Sequence, residues 1–146
     1  MKPFTMHAVL KYRQQLEDIA RQQLYEAMEV ETRLQAALLQ VQEELAELYN
    51  DLQQDKEQGT TVDRLVIFDH RIELIQEMVV LRQNELEKQQ AQIAKIREQL
   101  VKASKERKIM EKLREQQNAA HAKYLERKET NMLDEIAVLS HGRKQE

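Results

Sequence analysis

The chain has 146 residues, 34 % of them charged and 4 % aromatic, with two Gly, one Pro and neither Cys nor Trp. Without Cys there is no disulfide framework and no thiolate metal site, and a composition dominated by Glu, Gln, Lys, Arg, Leu and Ala belongs to long helices rather than a globular core. The formal net charge of −3 argues against bulk attraction to nucleic acid.

In chain order, residues 1–13 carry Lys2, Lys11 and Arg13 and no acid. The apolar stretch there is broken by His7 and Lys11, so no secretory signal is read, and no run approaches the ~18 apolar residues of a membrane span. The expected address is the cytoplasm. Helix one is predicted over about 5–57. Its later half has a heptad ladder of Leu34, Leu38, Val41, Leu45, Leu48 and Leu52, alternating steps of four and three. Nearer the N-terminus, Val9, Tyr12, Leu16 and Ile19 form a ladder offset by one residue. That offset predicts a slip in register and a loosened segment over residues 22–32, where polar side chains would meet.

Gly59-Thr60-Thr61 is the one strong break. Gly suits the residue just past a helix end, and Thr60 with Asp63 fits a capping box, placing a turn at 58–61. Helix two follows over about 62–140, with Ser140-His141-Gly142 read as its stop. Its ladder runs through Leu65, Phe68, Ile72, Ile75 and Val79, then Leu86, Ile93, Ile96, Leu100, Ala103 and Met110, turning polar at Arg82, Gln89 and Arg107. If the turn centres near residue 60, Leu52 faces Phe68, Leu48 faces Ile72 and Leu34 faces Leu86. Two unrelated ladders would share this phase only by luck. The expected fold is therefore all-α: a single domain over 1–146, an antiparallel two-helix coiled-coil hairpin. At ~1.5 Å per residue the paired part spans roughly 75 Å. Helix two then overhangs from about residue 120, carrying Tyr124, Leu125, Met132, Leu133, Ile136 and Leu139 along one face.

No chemistry-bearing motif emerges. The four His are scattered, and there is no phosphate loop, His-Glu-x-x-His or nucleophile elbow. No enzyme activity, cofactor or metal is expected. Two surfaces stand out instead. One is the basic run from Lys102 to Arg114, at the same end of the hairpin as the basic N-terminus. Its ordinary reading is a solvated helix face, and protein docking is the sharper one. The other lies near the turn, with Leu39, Ala46 and Tyr49 beside the seam of helix one and Ile67, Leu74, Met78 and Leu81 on helix two. A two-helix hairpin cannot bury a second stripe, so this apolar surplus marks a contact surface or a site of self-association.

The opening Phe4-Thr5-Met6-His7-Ala8-Val9-Leu10-Lys11-Tyr12-Arg13 with Glu17, the block Arg107-Lys108-Ile109-Met110-Glu111-Lys112-Leu113-Arg114-Glu115, and the later Tyr124 and Asp134-Glu135-Ile136-Ala137 resemble the FliJ family of bacterial flagellar export proteins. The resemblance implies a cytoplasmic coiled-coil protein at the inner-membrane export apparatus, similar to the central stalk of rotary ATPases. It would insert into the hexameric ring of the export ATPase, promote its activity, and contact the membrane export gate and substrate chaperones. By that resemblance the ring would meet Phe4, Arg13, Arg107, Lys108, Lys112, Leu113, Arg114 and Tyr124. The gate would meet the turn-proximal patch. Competing readings are a structural tether without ATPase coupling and a general holdase chaperone. Nucleic-acid binding is disfavoured by the charge and the few aromatics.

Overall fold

The computed structural model describes residues 3–145, with side chains described over 5–143. Two α-helices account for nearly all of it: α1, Pro3–Gln58, and α2, Val62–Gln145. Their packing against each other, with no strand among the described residues, makes the chain a helical hairpin. None of the described helices is long and apolar enough to cross a membrane.

The turn forms where the sequence weakens the helix. Gly59 takes φ +89°, a conformation open to Gly and strained for other residues. Thr61, rather than Thr60, caps α2: its Oγ1 accepts from the Arg64 backbone N–H at 3.3 Å, satisfying one of the orphan donors of the first turn. Thr60 instead donates through its hydroxyl to Asp55, whose other carboxylate oxygen pairs with Arg64 at 2.6 Å. Asp55 thus holds both sides of the turn from the end of α1.

The far end of α2 departs from expectation. Ser140-His141-Gly142 does not stop the helix, which continues through Gln145. A helical Gly costs only about 1 kcal/mol relative to Ala. No Pro follows Gly142, and no packed neighbour crowds it.

The chain divides into two compact units, one formed by Met1–Asp18 with Val101–Glu146 and the other by Ile19–Leu100. In the larger, turn-bearing unit the expected seam is present. Val41, Leu48 and Ile72 are buried, and Leu34, Leu38, Leu45, Leu52, Leu65, Phe68, Ile75 and Val79 are half-buried beside them. Segment 22–32 is packed by the same rule, which overturns the expected slip. Ala27, Ile93 and Ile96 form a buried cluster with Leu24 against it. Because Ala27 is small, Gln89 reaches the α1 backbone and donates to the Ala27 carbonyl at 2.9 Å.

In the other unit the seam of α1 consists of Met6, Leu10, Arg13 and Glu17, not Val9, Tyr12 and Leu16. Leu10 is 2 % exposed and Glu17 5 %, whereas Tyr12 is 54 % exposed. Ile19, the last residue of the offset ladder, is equally exposed and its neighbour Ala20 is buried. The steps of four and three therefore run unbroken along α1 from Met6 to Asp55. The offset ladder follows the larger side chains, while the seam carries an ion pair and two alanines.

Candidate functional site

The basic end of the hairpin is built on that ion pair. Arg107 of α2 sits in the seam and donates through Nε to the buried carboxylate of Glu17 on α1. One turn on, its Nη1 pairs with Glu111 at 2.7 Å. The hydrogen bonds to Glu17 and then Glu111 push the Arg107 pKa above its ordinary value. Arg13 makes a second crossing, donating to Glu106 at 2.7 Å. Two of the residues assigned to ring docking, Arg13 and Arg107, are thus engaged within the chain. Their first effect is to fix which residues of α1 and α2 face each other, as polar seam residues do in coiled coils.

The other cations assigned to docking, Lys108, Lys112 and Arg114, are exposed, with Leu113 40 % exposed among them. Leu113, Ile109 and Tyr12 are exposed, and Val9 and Leu16 are half-buried. Phe4 lies outside the residues whose side chains are described. Beyond Gln117 every described side chain of α2 is exposed through Arg143. Tyr124 stacks on His121 of its own helix, ring centroids 6.5 Å apart. Leu125, Met132, Leu133, Ile136 and Leu139 are each about half exposed or more. A helix this apolar on one side gains most of its stability from packing, and α1 supplies none to it.

The turn-proximal patch resolves into two strips. Tyr49 accepts a hydrogen bond from Gln76 at 2.8 Å on one flank of the helix pair, with Leu39 and Ala46 on the same side of α1. Leu74 lies on the opposite flank, in an open groove with Glu44, Glu47, Asp51 and Arg71. Ile67, Met78 and Leu81 follow Leu74 by their spacing along α2. In the sequence the two strips look like one patch because both lie one residue from the seam. One set follows its seam residues and the other precedes them, and that difference selects opposite flanks. All seven residues are exposed.

No group of three or more His, Asp or Glu among the described residues is arranged to hold a metal ion. The grooves among the described residues are open to solvent. What the surfaces offer is contact: a basic, apolar-edged end continuing into an uncovered helix, and an apolar strip with an acidic rim. In comparisons with known proteins, a family model described as Flagellar FliJ protein matches residues 1–146. No curated protein and no solved structure matches.

Proposed function

This chain belongs to the flagellar FliJ family over its whole length, a family related to flagellar export, and from that premise we propose that it is a central-stalk-like accessory of the export ATPase ring. The observation that carries the reading is the uncovered part of α2 from residue 118 onward, together with the exposed Lys108, Lys112, Leu113 and Arg114 that lead into it. A ring with an apolar, acid-lined channel would cover the exposed stripe and neutralise the cations at once.

The chain would act by differential binding. An asymmetric insert in a six-fold ring favours one subunit conformation only where its contacts differ between subunits. Arg13, Glu17, Glu106 and Arg107 would serve this role indirectly, by holding the helices in register under the docking face. The strip of Leu74, Met78 and Leu81 with its acidic rim is the surface we assign to the membrane export gate. Tyr49, Leu39 and Ala46 on the other flank remain for chaperone contacts. A location at the cytoplasmic face of the inner membrane follows from these partners.

The test is ATP hydrolysis by the cognate export ATPase with the full chain and with a Lys112→Glu/Arg114→Glu variant. The wild-type chain should raise the rate and the variant should raise it less. The gap should widen at low salt, because exposed charges are screened beyond ~10 Å at 0.1 M. Equal stimulation by both at low salt would remove this face from the docking site.

A further inference from the structure

The apolar stripe of the α2 tail does not continue the seam of the hairpin. Stepping on from Arg107 and Met110 by four and three, the seam positions become Arg114, Gln117, His121, Tyr124, Lys128, Asn131 and Glu135, which are mostly polar. Five apolar side chains of the tail fall one residue later, at Ala122, Leu125, Met132, Ile136 and Leu139, with Glu129 at the remaining position and Leu133, Ala137 and Val138 off that line. These positions repeat in steps of three and four, as a coiled-coil seam does. One residue is about 100° around a helix, so the tail carries a second seam that faces away from the line of α1. All of its residues are exposed.

We propose that this second seam is covered by a second copy of the chain, the two tails pairing antiparallel. The charges choose the occupant and the direction. In an antiparallel pair centred between Glu129 and Met132, Leu125 meets Ile136 of the second copy and Ala122 meets Leu139. Glu129 lies beside Met132, with its carboxylate free to reach water. The flanking Lys128 then faces Glu135 of the second copy, and symmetry makes the pair twice. Neither Lys128 nor Glu135 has an opposite charge three or four residues away on its own helix, so the single chain offers no local partner to compete. A parallel pair would set Glu129 against Glu129 and separate Lys128 from Glu135. Two heptads make a small interface, so the pairing is weak. Because the docking proposed above covers this same tail, self-pairing and ring docking exclude each other on that reading, and the dimer is a held-back form of the protein.

Sedimentation velocity of the full chain over a range of concentrations tests the pairing without the ATPase, so its outcome is independent of the docking reading. The wild type should shift from monomer to dimer. Lys128→Glu should raise the dissociation constant about tenfold by turning both pairs into repulsions. Adding Glu135→Lys to it should restore dimerisation, which a general loss of structure would not allow. Leu125→Glu/Ile136→Glu should abolish the dimer while circular dichroism still reports the helical hairpin. A wild type that stays monomeric at several hundred micromolar overturns the proposal. So does a dimer indifferent to Lys128→Glu and to Leu125→Glu/Ile136→Glu, which would place self-association elsewhere, as on the turn-proximal strips.

Discussion

Glu17 and Arg107 show what a polar seam costs and what it supplies. Glu17 is 5 % exposed, and its carboxylate is tolerable there because Arg107 donates to it. Removing one partner of such a pair takes away part of what offsets burial of the other, whereas replacing both by apolar groups is often neutral or stabilising. Arg107→Leu alone should therefore lower the urea midpoint markedly, and Glu17→Leu/Arg107→Leu should recover it. The double variant should also lose fidelity of register, seen as broadened NMR resonances from residues 6–17, since an apolar seam accepts shifted pairings that an ion pair rejects. A double variant no more stable than Arg107→Leu would show that the pair contributes net stability instead. At the turn, Gly59→Ala meets no crowding, for nothing lies within 4 Å of an added Cβ. Its penalty should be backbone strain alone, about 1 kcal/mol, read from the same denaturation curves.

The helices form because their residues favour them, but the seams decide how they pair. Over 34–52 and 65–79 the seam is apolar, and spacing alone locates it. Nearer the open end the seam holds Met6, Leu10, Arg13, Glu17, Ala20 and Ala27, while Tyr12 and Ile19 lie outside it. Ranking positions by hydrophobic size picks the wrong face there. The ion pair that identifies the right one joins residues 90 positions apart and has no local signature. The cap of α2 falls one residue past the expected Thr60 for a similar reason: Thr60 and Thr61 are chemically alike, and the hydrogen bond from Thr60 to Asp55 leaves the Thr61 hydroxyl to cap. Segment 22–32 now carries a specific expectation. The amides of Leu24 and Ala27 should exchange with solvent as slowly as those of Val41 and Leu48. Ile93→Ala, which empties a site 3 % exposed, should cost about 2–3 kcal/mol. Fast exchange at Ala27 would restore the idea of a loosened segment.

For the whole molecule, family and hairpin were legible in the sequence because both rest on repeated features, the two ladders and the basic block before Tyr124. The surfaces were legible as compositions and not as shapes. The turn-proximal patch divides between two flanks, and two of the docking cations are engaged inside the chain. What remains for the proposed contact with the export ATPase is the face of Lys108, Lys112, Leu113 and Arg114 and the uncovered tail beyond Gln117. The most direct test of that assignment is site-specific photo-crosslinking. A benzophenone amino acid would replace Tyr124 in the tail or, as a control, Tyr49 on the flank near the turn, with the assembled ATPase ring and nucleotide present. The chain labelled at Tyr124 should crosslink to the ATPase and the chain labelled at Tyr49 should not. Crosslinks to the ATPase from Tyr49 with none from Tyr124 would contradict docking through the tail.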